Sequence, residues 1–169
     1  REKILLKCAD HVEANYDRLL NLLIDESGSS IIKAKYEVLY TASVLRTAAG
    51  EVRRLYADTL PNEKPHRMSI VVREPVGVVL AISPFNAPLV LLAKMIVFPL
   101  GAGNAVIAKP SEETPLIAVE LAKVMKEAGL PDGVFNVVTG FGAECGAPLA
   151  KHPKVNGIAL TGSTATGMK

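Results

Sequence analysis

From residue 77 onward the chain repeats one pattern: a short unbroken apolar run, a turn, and a segment long enough for a helix. The runs are residues 77–82, 105–108, 134–138 and 157–160. Continuous apolar runs bounded by turn residues are how strands covered on both faces of a parallel sheet read. The segments between them fit helices at 89–100, with a break near Pro99, at 115–128 and at 143–150. The second is the best marked, with Thr114 as N-cap, Pro115 at the first helical position and Gly129 past the end. Strand and helix in alternation make successive βαβ units, and right-handed crossovers turn these into an α/β fold, a Rossmann-like doubly wound parallel sheet.

The front of the chain is built differently. Leu5, Cys8, Val12, Tyr16, Leu19 and Leu23 recur every three or four positions, one stripe of an amphipathic helix that Gly28 ends. A second stripe runs Val38, Ala42, Leu45, Ala49, Val52 and Tyr56 and closes at Pro61, with Arg53 and Arg54 near its C-terminal turn, where the helix dipole favours cations. Two long helices joined by a few residues predict a helical hairpin over residues 1–60. Residues 61–74 read as a linker in which 68–73 alternates like an edge strand, and residues 75–169 carry the sheet.

Composition narrows the function classes. Nearly half of the 169 residues are apolar, 49%, which is enough to bury a core and excludes intrinsic disorder. Nineteen Lys and Arg against seventeen Asp and Glu leave +2, without the sign excess that binding nucleic acid or an anionic membrane requires. A small-molecule partner is expected instead. Residues 75–103 are the most apolar stretch, but Pro84, Pro88 and Pro99 with Asn86 cut them into pieces shorter than the roughly 20 residues of a spanning helix. Cys8 and Cys145 form no disulfide framework, and no metal-ligand spacing involves them or His11, His66 and His152. Both cysteines read as small hydrophobes in a reducing compartment, and no targeting signal is visible.

Ligands of open α/β sheets bind outside the carboxyl ends of the strands, so the four loops there carry the functional candidates. Asn86 stands between two prolines; an Asn in such a turn ordinarily serves backbone geometry, yet the prolines also fix a carboxamide donor able to stabilise an oxyanion. Lys109 reads as a solvated lysine at a strand end, or, with Glu112 three residues on, as one donor and one acceptor for a ribose diol. Gly140 and Gly142 make a tight turn into a helix. They miss the dinucleotide fingerprint, because Cys145 occupies the third glycine's place and Leu160 the acidic position. The loop 161–167 follows a strand and opens a helix, so its N–H groups and the Ser163 hydroxyl suit phosphate oxygens, although no Gly-Lys-Ser or Gly-Lys-Thr makes it a P-loop. Asp25-Glu26 and Glu112-Glu113 read as solvated charge.

Taken in order, these motifs resemble the aldehyde dehydrogenase superfamily. The matching residues are Glu74-Pro75-Val76-Gly77, Pro84-Phe85-Asn86-Ala87-Pro88, Gly103-Asn104 followed by Lys109-Pro110-Ser111-Glu112, and Thr161-Gly162-Ser163-Thr164. Glu26-Ser27-Gly28, Gly129-Leu130-Pro131 and His152-Pro153 fall in family order, so the likeness covers essentially the whole chain.

The resemblance implies the following. Asn86 helps hold an oxyanion. Lys109 and Glu112, with Ser111 beside them, bind the adenosine ribose. Gly162 and Ser163 lie against the pyrophosphate, and Thr161 and Gly167 are cofactor-binding beside them. Ile82, Ser83, Pro84 and Phe85 line the cofactor cleft, and Gly142 and Thr166 flank the adenine. The family oxidises an aldehyde to an acid with NAD or NADP: a cysteine thiolate attacks the carbonyl, hydride leaves for the nicotinamide, and a base-activated water hydrolyses the thioester. The nucleophilic Cys and the general-base Glu are expected beyond residue 169. The chain therefore reads as a truncated aldehyde dehydrogenase-like fold, an incomplete dinucleotide-binding domain inactive by itself. Glu112 favours NAD over NADP, since a carboxylate accepts from a free 2′-hydroxyl and repels a 2′-phosphate. The alternatives are an acylating relative, CoA- or phosphate-linked, and a non-catalytic dinucleotide-binding protein. By resemblance the full enzyme is a cytoplasmic homodimer or homotetramer acting on a small-molecule aldehyde, with no nucleic-acid or membrane partner and no metal.

Overall fold

The first apolar stripe is carried by two helices rather than one. In the computed structural model, which describes residues 1–168 and so leaves Lys169 of the expected sheet domain outside, α1 spans Glu2–Ala14 and α2 spans Tyr16–Ser27. The break falls at Asn15, whose side-chain amide donates to the carbonyl of His11 at 2.9 Å alongside its own backbone N–H at 3.0 Å. Leu5, Cys8, Val12, Leu19 and Leu23 are buried as the stripe requires, while Tyr16, next to the break, is half-buried. Gly28 ends α2 in the left-handed conformation, φ 62°. The third helix, α3 (Ile31–Glu51), starts on Ser30, whose hydroxyl accepts from the Lys33 N–H.

The second stripe stops short of its expected end. After Glu51 the chain makes a single 3-10 turn, Val52–Arg54, and Tyr56 is 65% exposed, outside the buried face. Residues assigned above to the hairpin instead form β1 (Asp58–Leu60), which pairs antiparallel with β2 (Ser69–Val71). The alternating stretch 68–73 thus joins a separate two-stranded ribbon and is not an edge of the parallel sheet, because its partner precedes it by only about ten residues and antiparallel pairing needs no crossover.

The parallel sheet follows the alternation of the sequence: β3 (Val78–Ile82), α4 (Pro88–Ala102), β4 (Ala105–Lys109), α5 (Pro115–Glu127), β5 (Phe135–Val137), α6 (Ala147–Ala150), β6 (Gly157–Leu160) and α7 (Thr164–Gly167). Strand order is β5-β4-β3-β6, all parallel. The chain winds outward from β3 through β4 to β5, then returns through α6 to the other side of β3. That reversal places the topological switch between β3 and β6. Pro99 remains inside α4 without ending it. The helix expected at 143–150 is a π-turn, Gly142–Gly146, followed by the single turn of α6. So short an element cannot cover a sheet face. Ile158 and Asn136 are accordingly exposed, and β5 and β6 are half-buried strands rather than doubly covered ones.

The front helices share the core of the sheet. Leu5, Leu19, Leu23 and Leu45 belong to the same continuous apolar cluster as Leu92, Ile96, Leu121, Met125, Val79 and Val106. Each fully buried leucine contributes about 1.5–3 kcal/mol, so this cluster is what joins hairpin to sheet. Along the seam α3 and α4 run parallel: Glu37 meets Leu89 and Val90, the Lys94 ammonium lies 4.8 Å from the Tyr40 ring centroid, and a Cβ on Gly101 would stand 3.2 Å from a Val52 methyl.

Candidate functional site

Register brings the strand ends level. Ile82 pairs with Lys109 on one side and with Leu160 on the other, so three neighbouring strands finish side by side, about 4.8 Å apart. The ladder runs one residue further, with Ser83 N–H donating to the Lys109 carbonyl and Thr161 N–H to the Ile82 carbonyl, each at 3.1 Å. The loops 83–88, 109–114 and 161–167 therefore leave from a common edge, beside the switch between β3 and β6.

Lys109 decides between its two readings. It is 3% exposed, no solvated strand end, and its ammonium donates to Glu112 Oε2 at 3.1 Å. Its stem passes under the Gly loop, where a Cβ on Gly146 would come 3.9 Å from Lys109 Cδ. Glu112 itself reaches solvent. Its own backbone N–H, then the Lys109 ammonium, hold its carboxyl below the usual carboxylate range. Ser111 accepts the Glu113 N–H at 3.3 Å and starts the turn that presents this pair.

At the end of β3 and in the loop after it, Ile82 and Pro84 are half-buried, Ser83 is buried, and Phe85, 58% exposed, and Asn86 face solvent. The Ser83 hydroxyl oxygen is buried without a hydrogen-bond partner, a polar atom left over beside the cleft. At the end of β6, Thr161 is half-buried and its hydroxyl donates to the Met95 sulfur at 3.5 Å, while Gly162, Thr166 and Gly167 are exposed. The Ser163 hydroxyl, expected to meet phosphate, caps its own helix: it accepts the Thr166 N–H at 3.2 Å and lies 2.9 Å from the Thr166 hydroxyl. Gly142 is exposed and opens the π-turn after Gly140, φ 147°. All the candidate residues thus stand along one edge. Direct hydrogen bonding joins Lys109 to Glu112 and Ser163 to Thr166, while no such bond joins Asn86 to either pair.

Two concavities lie elsewhere. One, about 290 Å³, is lined by Ile4, Leu5, Leu100, Ala105, Leu130 and Val134 at the opposite end of the sheet. The other, about 350 Å³, lies between α5 and β5. Neither is lined by a candidate residue. Among the described residues no group of His, Cys, Asp or Glu is arranged to hold a metal ion, and no helix is long and apolar enough to cross a membrane.

The profile of the aldehyde dehydrogenase family matches residues 1–169. The chain belongs to this family. It is 45% identical over 166 residues to (Z)-2-((N-methylformamido)methylene)-5-hydroxybutyrolactone dehydrogenase of Acinetobacter baylyi, covering 98% of this chain and 34% of that protein. It is 44% identical to the NADP/NAD-dependent aldehyde dehydrogenase PuuC of Escherichia coli, covering 99% and 34%. Among solved structures, PnpE in complex with nicotinamide adenine dinucleotide superposes with a TM-score of 0.96 at 38% identity, over 99% of this chain and 34% of that one. The chain spans about a third of the length of these relatives.

Within this aldehyde dehydrogenase segment, the residues that sequence reasoning missed are the carboxylates that hold the helices. Glu26, read above as solvated, accepts the N–H groups of Leu116 and Ile117 at 2.5 and 2.9 Å and caps α5, where Thr114 makes no side-chain cap. Glu37 does the same for α4 through Leu89 and Val90. A signal was present: both helices begin with Pro after a residue that does not cap, so their first free N–H groups had to find acceptors elsewhere.

Proposed function

We propose that this chain is the cofactor-binding part of an NAD(P)-dependent enzyme that oxidises an aldehyde to a carboxylic acid. The buried Lys109 beside Glu112 carries the reading, because a desolvated ammonium with one acceptor, set at a strand end, fits the two hydroxyls of a ribose. The donor set fits the rest of the dinucleotide as well. The orphaned Ser83 hydroxyl and the backbone of residues 82–85 border the same crevice, and Gly162, Ser163 and Gly167 offer an exposed, uncluttered approach for a pyrophosphate. When bound, the nicotinamide supplies the hydride acceptor. The chain's own residues bind and orient: Lys109 donates to a ribose oxygen, Glu112 accepts from the neighbouring hydroxyl, and Asn86 points a carboxamide donor at the oxygen that becomes negative when a thiolate attacks the aldehyde. Glu112 supports NAD as the preferred form, since the Lys109 charge is already matched by a carboxylate that a 2′-phosphate would have to face.

The nucleophilic cysteine and the base belong, on this reading, to sequence after residue 169. Cys8 is buried and its thiol is pushed up to about 12 by burial, the opposite of an activated nucleophile. Two unpaired cysteines fit a reducing, cytoplasmic setting. The exposed apolar ribbon of β1 and β2 supports a homodimer or homotetramer. The deciding experiment is Lys109→Ala in the full-length enzyme: the Michaelis constant for NAD rises about tenfold or more while that for the aldehyde stays within twofold. An unchanged cofactor constant rejects the assignment.

A further inference from the structure

We infer that Glu37, on a helix far from the sheet in sequence, is the positioning residue that sets the Asn86 carboxamide. The inference rests on the reading of Asn86 given above. Helix α4 begins two residues after Asn86, and it cannot cap itself: Ala87 at the N-cap has no acceptor and Pro88 has no N–H. Its first free donors are Leu89 and Val90. Both give their N–H to one oxygen of Glu37, at 3.1 and 3.3 Å. Glu37 is 1% exposed, and its other oxygen receives the Lys33 ammonium at 2.7 Å, which is itself held by the Ser29 hydroxyl at 2.6 Å. A buried carboxylate thus sits at the positive end of α4 with a single counter-ion, and two amides complete its coordination.

The consequence for Asn86 follows from the covalent chain. Residues 83–88 are clamped at both ends, by the Ser83 N–H on the Lys109 carbonyl and by Glu37 on the first turn of α4. Pro84 and Pro88 restrict the backbone between the clamps. Asn86 is the midpoint of what remains. A local cap at position 87 would satisfy the helix equally well but would leave the loop free to move with it. The carboxylate from α3 instead references Asn86 to the hairpin core. Since displacement of a reacting group by about 1 Å can cost about 10²-fold in rate, loosening this clamp acts on turnover before it acts on cofactor binding, which depends on Lys109 and β4.

The test uses the full-length enzyme with Glu37→Gln, Asn86→Ala and the double variant, each measured for turnover, for the NAD constant and for thermal unfolding. We expect Glu37→Gln to lower kcat about tenfold or more with the NAD constant within twofold of the parent, and to lower it little further in the Asn86→Ala background. Parental kcat in Glu37→Gln, even with a lowered melting temperature, overturns the inference. So does an equal fold-loss in both backgrounds. If Asn86→Ala alone turns over normally, the reading of Asn86 is what fails, and the positioning role falls with it. Should Glu37→Gln not fold, Glu37→Asp keeps the charge beside Lys33 but, one methylene shorter, draws the carboxylate off the Leu89 and Val90 amides. A kcat loss in that variant that disappears in the Asn86→Ala background supports the role, and parental kcat or a loss that persists in that background rejects it.

Discussion

The Lys109–Glu112 pair makes a statement about pH. Glu112 is held below the usual carboxylate range by its own backbone N–H and by Lys109, so its contribution is complete above the ordinary glutamate pKa and is lost only as pH falls through the lower, folded value. Between about pH 5 and 8 Glu112 stays ionised, and the NAD constant of the full enzyme should show no step that Glu112→Gln removes. A Glu112-dependent inflection in that window contradicts the assignment. Burial makes the opposite statement for Cys8, whose thiol is pushed up to about 12 while Cys145 is partly exposed. In the native protein near pH 8, iodoacetamide should label Cys145 and spare Cys8 until the chain unfolds, as peptide mass mapping would show. Gly77 is a constrained glycine: φ is 116°, and a Cβ there would stand 2.7 Å from the Asn156 oxygen that accepts the Val78 N–H. Gly77→Ala should destabilise by about 1–3 kcal/mol in urea titration. The three-residue spacing made Lys109 and Glu112 legible as a pair. That Lys109 is buried was not legible, since it depends on Gly146 passing over its stem from a loop more than thirty residues later.

At the scale of elements, the two crossover helices are held by carboxylates on the front helices. Glu26 accepts two amides of α5, and Arg18 on α2 pairs with Glu120 on α5, so α2 is bonded to the helix it packs against. Glu26→Ala leaves two helix-terminal donors without their acceptor and should cost about 1–2 kcal/mol in equilibrium unfolding, with Glu26→Gln recovering part of it. No change in the midpoint would mean that water caps α5 as well. The strands β3, β4, β5 and β6 were legible as short, largely apolar runs between turn residues, although only β3 and β4 are buried as such runs suggest. The break at Asn15 was not, because nothing in the periodicity records that its side chain turns back to share the His11 carbonyl. The ribbon was missed for a related reason. Residues 58–60 extend the helical stripe in sequence, and only pairing with residues 69–71 makes them a strand.

For the whole molecule, the ribbon is the part least accounted for by its own core. Met68, Ile70 and Val72, on or beside β2, alternate onto one face of the ribbon and are all exposed, an apolar stripe of the kind that another chain covers. Ile70→Lys in the full-length enzyme should shift the assembly toward smaller species in light scattering, leaving the NAD constant of the remaining folded protein within about twofold, because the ribbon is separate from the strand-end crevice. Unchanged mass would remove the ribbon from the interface. What the sequence by itself determined is the alternation of strand and helix, the apolar stripes, and the loops in which chemistry could sit. These are properties of residues near one another, where periodicity and turn chemistry act locally. Only the tertiary structure decided that β6 returns beside β3, that the strand ends stand level, that Lys109 is dry, and that Glu26 and Glu37 hold helices 50 or more residues away. Such pairings satisfy amides and charges only once the core has brought distant segments together, and no local pattern records which acceptor an unpaired donor will meet.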